Sequence, residues 1–233
     1  MAAARIGEAT PAMMATCRIF SAEDAGALAL EAQALPWMDG ASTAGWHARL
    51  VKNNRQAAPG AALERIQQRI LEALQADATV ISACMPLRLS PPLLSRYEPG
   101  MAYGDHVDDA VRPGDPPMRA DLSFTLFLVE PDTYSGGDLV IGSGAVATSV
   151  RLPAGCAVFY PSDTLHRVEQ VTGGVRLAAV GWMQSLVRSA QQREILHDLD
   201  LARRHVFESA GKGPLFDTLA KTHANLLRLW AEI

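Results

Sequence analysis

Two helix-period segments open the chain. Ser21-Ala22-Glu23-Asp24 reads as an N-cap with an acid three residues on, leading into Leu28, Ala32 and Leu35 before Pro36 ends the run. Residues 61–75 place Leu63, Ile66, Ile70 and Leu74 on one helical face, with Glu64, Arg65, Gln68 and Glu72 elsewhere. Residues 37–58, rich in Gly, Ser, Thr and Asn, predict short strands and turns. From about residue 86 to 184 the period shortens. β-prone runs alternate with Gly/Pro turns: Leu93–Tyr97, Tyr103–Val107, Leu122–Val129, Asp138–Ile141, Thr148–Leu152, Ala157–Tyr160, Arg167–Val171 and Val175–Met183. Helical spacing then returns, with Leu196, Leu199 and Leu201 in one segment and Leu215, Leu219, Leu226 and Trp230 in another, Pro214 near its start. Runs of short strands at this spacing predict a β-sandwich or jelly roll. The expected organisation is α+β. A leader covers 1–15, helices and strands over 16–85 pack on a core at 86–186, and a helical extension covers 187–233.

Composition narrows the function classes. The 233 residues are 48% hydrophobic and 20% charged, as in soluble globular proteins. The longest apolar run, Leu122–Val129, is far too short to span a bilayer, so no membrane role is expected. A net charge of −4, from 21 basic and 25 acidic residues, gives no sign of a nucleic-acid surface. Cys17, Cys84 and Cys156 are odd in number and far apart, which suggests neither a disulfide framework nor a zinc knuckle. The alanine-rich start lacks a continuous apolar stretch, so it reads as a disordered leader of a cytoplasmic protein and not as a signal peptide.

The candidate chemistry lies in Tyr97-Glu98-Pro99-Gly100-Met101-Ala102-Tyr103-Gly104-Asp105-His106-Val107-Asp108. On a strand, i and i+2 share a face, so His106 and Asp108 present an imidazole and a carboxylate together. Alone, such a pair is most often a surface or hydrogen-bonded couple. His166, far downstream at the start of a strand after a polar turn, supplies a third candidate. Two His and one carboxylate bind one face of Fe(II) and leave positions open; zinc is the competing ion. Arg176 stands in the apolar run Val175-Arg176-Leu177-Ala178-Ala179-Val180, where a guanidinium needs a buried partner. That partner is either a ligand carboxylate, held bidentately, or an internal Asp or Glu.

His-x-Asp, a distant His and an Arg ten residues beyond it resemble the Fe(II)/2-oxoglutarate dioxygenases. The Tyr-x-x-Gly-x-x-Tyr-x-x-His-x-Asp context resembles their prolyl/lysyl-hydroxylase branch, and within it the bacterial PKHD-type hydroxylases, a group associated with iron uptake. The resemblance runs from about Trp37 to the end and includes Val51-Lys52-Asn53-Asn54, Gly136-Gly137-Asp138-Leu139, Leu152-Pro153-Ala154-Gly155, Tyr160-Pro161-Ser162 and Leu226-Leu227-Arg228-Leu229-Trp230. It implies a double-stranded β-helix (jelly-roll) core and His106, Asp108 and His166 as iron ligands. It further implies Arg176 on the distal carboxylate of 2-oxoglutarate, Tyr97 as a donor to that cosubstrate and Trp182 as a pocket wall, though Tyr97 and Trp182 also suit plain core roles. Phe127 stands where animal prolyl hydroxylases carry a Tyr that assists the Arg; Ser123 or Thr125 is the expected substitute. The implied reaction consumes O2 and 2-oxoglutarate, yields succinate and hydroxylates an unactivated C–H, with L-ascorbate as a rescuing reductant.

Other groups take structural or open readings. Asp109 is expected in solvent. Asp105 and Asp163 are candidates for holding the ligand histidines. His47, His197, His205 and His223 lack a cluster, and Cys156 reads as a small buried hydrophobe. Lys52-Asn53-Asn54-Arg55 is either a solvated loop or part of the pocket mouth. The substrate is expected to be a peptide or protein side chain, an amino acid or a siderophore-like metabolite, and the protein a monomer or homodimer. A different class of reading is a metal-binding β-barrel without oxygenase activity, either a zinc hydrolase, which has no need of a buried arginine aimed at a second carboxylate, or a binding module, which has no need of an open coordination position.

Overall fold

The computed structural model describes residues 14–43 and 45–233. Five α-helices are found among them: α1 (Ala22–Gln33), α2 (Ala61–Ala76), α3 (Ala78–Cys84), α4 (Ala190–Ala210) and α5 (Pro214–Trp230). The Ser21 hydroxyl accepts the Asp24 N–H at 3.0 Å, as the capping pattern predicts. The buried residues of α2 are the four apolar positions of its predicted stripe, Leu63, Ile66, Ile70 and Leu74. α3 was not anticipated. Asp77 caps it, accepting from the Thr79 and Val80 N–H groups at 2.9 Å each, and its seven residues bury Val80, Ala83 and Cys84 at i, i+3 and i+4.

An eight-stranded antiparallel sheet runs in the order Ala15–Arg18, Cys156–Pro161, Leu122–Phe127, Arg176–Ser185, Leu93–Tyr97, Arg55–Ala57, Trp37–Asp39. Pro86–Leu89 also pairs with Arg176–Ser185. A five-stranded sheet runs Thr148–Val150, Leu139–Ile141, His166–Val168, Ala102–His106, Lys52–Asn53. Each predicted strand is present within a few residues of its expected ends, and the short Tyr134–Gly136, Val171–Gly174, Val111–Arg112 and Met118–Arg119 pairings are additional. The predicted leader lies outside the described residues up to 13. Ala15 is already part of the first strand, paired with Phe159.

Strand alternation divides the large sheet into two chemistries. Leu122, Phe124, Leu126, Leu177, Ala179 and Met183 form a core with α1 and α2. The intervening positions, Ser123, Thr125, Arg176, Val180 and Trp182, with Leu93, Ser95 and Tyr97 beside them, line a cleft toward the smaller sheet. The α4–α5 hairpin packs elsewhere. Leu196 of α4 joins a cluster with Met85 and Val187, against which Leu226, Leu227 and Trp230 pack. Ser82 of α3 meets α4 through His197 Nδ1 and Asp200 Oδ2, each at 2.8 Å. No helix among the described residues is long and apolar enough to cross a membrane.

Candidate metal and cosubstrate site

Two neighbouring strands of the smaller sheet bring the distant histidines together, with His106 opposite His166 in the register. The first of these strands ends at His106, and Asp108 follows in the exit loop. One ligand atom each from His106, Asp108 and His166 falls within a mutual 4.8 Å. His166 Nε2 lies 3.7 Å from Asp108 Oδ2, and the two imidazoles stand 4.2 Å apart between centroids.

Backbone carbonyls set the tautomers. His106 Nδ1 lies 2.8 Å from the Gly104 carbonyl and His166 Nδ1 3.0 Å from that of Thr164. A carbonyl only accepts, so each Nδ1 carries the proton and each Nε2 lone pair is free for a metal. Asp105 and Asp163 do not hold the histidines. Asp105 is exposed and within 3.6 Å of Arg167, and Asp163 is exposed. Burial, then the neighbouring His166 ring, push the His106 pKa down to about 4, so it is neutral and ready to ligate near pH 7. Tyr103 stacks on His106 with centroids 3.6 Å apart, and Tyr160 meets His166 edge-on at 5.1 Å. Asp108, the third candidate ligand, is oriented by Ser123, whose hydroxyl donates to Asp108 Oδ2 at 2.6 Å and accepts from Ser162 at 2.8 Å. The Ser123 hydroxyl is thus engaged with Asp108, and no hydrogen bond joins it to Arg176. Thr125 lines the same cleft.

Arg176 starts the long strand of the large sheet, opposite Tyr97. It is 1% exposed, and its Nε, Nη1 and Nη2 have no hydrogen-bond partner among the described residues. Its guanidinium carbon sits 5.3 Å from the ring centroids of both Tyr97 and Phe127. An internal Asp or Glu partner, the alternative raised by the sequence, is not found among its contacts. Gly137, at φ +70°, leaves room for this side chain: a Cβ there would stand 3.1 Å from Arg176 Cδ and 2.8 Å from Val171 Cγ2. Tyr134 is the neighbour that sequence reasoning missed. Its hydroxyl is also buried without a partner, and the Arg176 charge partly offsets the burial that raises its pKa. A tyrosine is thus present beside the arginine although Phe127 occupies the expected place; nothing local in Tyr134-Ser135-Gly136 signals it.

Trp182 lines the cleft on the same strand face as Arg176, with its indole N–H buried and unpartnered. Lys52 and the buried Gln56 also line the cleft. Asn54 is buried behind it and Arg55 is exposed, so the Lys52–Arg55 run is only partly pocket. Asp109 is exposed, as expected, and also borders the cleft, 3.7 Å from Arg112. Arg112, also unanticipated, stacks 3.8 Å over the Trp182 ring.

This donor set fits a divalent iron with open positions, because two imidazoles and one carboxylate bring one ligand atom each together. The buried guanidinium, with its nitrogens unpaired in the same cleft, fits a carboxylate brought by a ligand.

Comparison with known proteins agrees with this chemistry. Residues 92–184 match the 2OG-Fe(II) oxygenase superfamily and residues 191–232 the PKHD-type hydroxylase C-terminal domain. A PKHD-type hydroxylase of Acaryochloris marina is 52% identical over 197 residues, covering 84% of this chain and 89% of that protein. One of Synechococcus elongatus is 52% identical over 202 residues, covering 86% and 91%. Among solved structures, a Pseudomonas putida prolyl-4-hydroxylase aligns with a TM-score of 0.52 at 22% identity, covering 74% of this chain and 92% of that one. A Trichoplax adhaerens prolyl hydroxylase, solved with a hypoxia-inducible-factor peptide fragment, aligns with a TM-score of 0.53 at 14% identity, covering 78% and 86%. These two show the shared jelly-roll fold. The reading as a non-oxygenase barrel gives way to the sequence relatives: the chain belongs to the PKHD-type hydroxylases of the 2OG-Fe(II) oxygenase superfamily.

Proposed function

We propose that this protein hydroxylates an unactivated C–H of a small-molecule or peptide substrate, with 2-oxoglutarate decarboxylated to succinate. His106, Asp108 and His166 would hold Fe(II), and Arg176 would bind the far carboxylate of 2-oxoglutarate. The observation that carries this reading is the buried, unpartnered guanidinium of Arg176 in the cleft that contains the three ligands. An isolated buried cation is costly, and a bidentate carboxylate relieves that cost.

When bound, iron and 2-oxoglutarate supply the oxygen activation and the oxidising power. The chain positions and shields them. The Gly104 and Thr164 carbonyls fix both histidine rings, and Ser123 fixes Asp108. Tyr97 and Phe127 sandwich Arg176 and confine it to one direction. Tyr97 and Tyr134 stand ready to donate to a carboxylate seated on Arg176, and Trp182 walls the cleft. Cytoplasmic location and rescue by ascorbate belong to the same reading.

The test is anaerobic titration of the metal-free protein with Fe(II) and 2-oxoglutarate. A saturable visible charge-transfer band that His166→Ala abolishes and Arg176→Ala weakens supports the assignment. No band, with zinc retained in its place, overturns it.

A further inference from the structure

The mouth of the cleft holds positive charge that neither metal nor cosubstrate accounts for. Asp108 belongs to the ligand set and Arg176 to the cosubstrate. Lys52, Arg112 and Asp109 are the remaining charged side chains around the opening. Lys52 Nζ donates to Thr43 Oγ1 at 3.0 Å and lies 5.0 Å over the Tyr103 ring; among the described residues no carboxylate lies within ion-pair distance of it. Arg112 is mostly covered, lies flat on Trp182 at 3.8 Å, and has a single long contact, 3.7 Å, to the exposed Asp109. Trp182 adds a buried indole N–H without an acceptor. The rim is therefore rich in donors and poor in acceptors. Lys52 and Arg112 are also close enough for Arg112 to disfavour the Lys52 charge; burial is the larger effect, and together they take its pKa to about 8 against the pull of Asp108 and Asp39.

From this arrangement we propose that Lys52 and Arg112, with the Trp182 indole N–H, form an anion-binding rim and that the substrate is an organic carboxylate. The carboxylate seats between the two cations and neutralises their mutual repulsion. Its carbon skeleton then extends inward past Tyr103 toward the ligand cluster, where the oxidised C–H must lie. Stacking on Trp182 holds the planar Arg112 guanidinium in place to meet a carboxylate. This inference rests on the reading of the deeper site as an iron and 2-oxoglutarate centre, because that reading commits Asp108 and Arg176 elsewhere.

The experiment uses protein loaded with Zn(II) and 2-oxoglutarate, which binds without turnover, and reads ligand binding by saturation-transfer NMR. The probes are N-acetyl-L-aspartate 1-amide, its uncharged analogue N-acetyl-L-asparagine amide, and the pentapeptide Gly-Gly-Asp-Gly-Gly with blocked ends. The expected result is a saturable signal for an aspartate probe, at least tenfold weaker for asparagine and at least tenfold weaker in both Lys52→Gln and Arg112→Gln. 2-Oxoglutarate affinity should change less than fivefold in either variant. The tighter of the two aspartate probes distinguishes a free metabolite from a peptide side chain as the source of the carboxylate. Equal binding of aspartate and asparagine probes, or unchanged binding in both variants, overturns the rim. Failure of the wild-type protein to take up 2-oxoglutarate instead overturns the deeper reading. The same probes on metal-free protein then decide the rim separately.

Discussion

Replacing Arg176 with methionine should make the empty protein no less stable while abolishing most of its response to 2-oxoglutarate. In the empty fold the guanidinium is 1% exposed with three unpartnered nitrogens, and an unpaired buried ion costs several kcal/mol. The rings of Tyr97 and Phe127, each 5.3 Å away, return about 1–2 kcal/mol apiece. Methionine fills much of the same volume, packs against both rings and carries no charge. Metal-free Arg176→Met should therefore match the wild type or exceed it by up to about 2 kcal/mol. Binding reverses the order. Two charge-assisted hydrogen bonds contribute roughly 3–6 kcal/mol, so the variant should bind 2-oxoglutarate at least about a hundredfold more weakly. At a concentration of 100 times the wild-type Kd, the ligand stabilises the wild type by about 2.7 kcal/mol and such a variant by only about 0.4 kcal/mol. Urea denaturation with and without Mn(II) and 2-oxoglutarate measures both quantities. A loss of more than about 2 kcal/mol in the metal-free variant would refute the unpaired-cation argument. An undiminished 2-oxoglutarate shift would refute the assignment of the carboxylate to Arg176.

Ser123→Ala removes the hydroxyl that orients Asp108 and should weaken Mn(II) binding by roughly 10–100-fold, measurable by calorimetry, with little change in far-ultraviolet circular dichroism. For His106, the folded pKa near 4 lies below the ordinary value of about 6.5, so the unfolded chain binds more protons between these limits. Metal-free stability should fall as pH drops from about 6.5 toward 4, with a slope of up to about 1.4 kcal/mol per pH unit, and His106→Asn should lose that slope in denaturation curves taken across the range. Gly155 has φ +82°, and a Cβ there would stand 2.2 Å from the Phe20 carbonyl oxygen. Gly155→Ala should cost about 2 kcal/mol or more in thermal or urea unfolding by prising the Ala15–Arg18 strand from its neighbour, whereas alanine at Gly213, which meets nothing, should not.

The sequence by itself determined the elements whose information is local. α1 was legible from Ser21, Asp24 and Pro36, α2 from its four-residue stripe, and the strands from alternation between turns, because caps, periods and turn residues act over a few positions. The ligand candidates His106, Asp108 and His166 were legible for a different reason: their spacing matches a known pattern, and the register then places His106 opposite His166. Tertiary structure alone decided what surrounds them. The proton on each Nδ1 depends on carbonyls two residues upstream, Gly104 and Thr164, and not on Asp105 or Asp163, because loop and strand curvature turns the backbone inward and those carboxylates outward. Ser123 faces Asp108 instead of Arg176 because the register sets it opposite Trp182, six residues along the strand from Arg176, where it meets Asp108 across the cleft. Tyr134 and Arg112 reach the site from loops and short pairings whose sequences carry no period. Their approach is set by how two sheets pack, a long-range contact that no local window encodes.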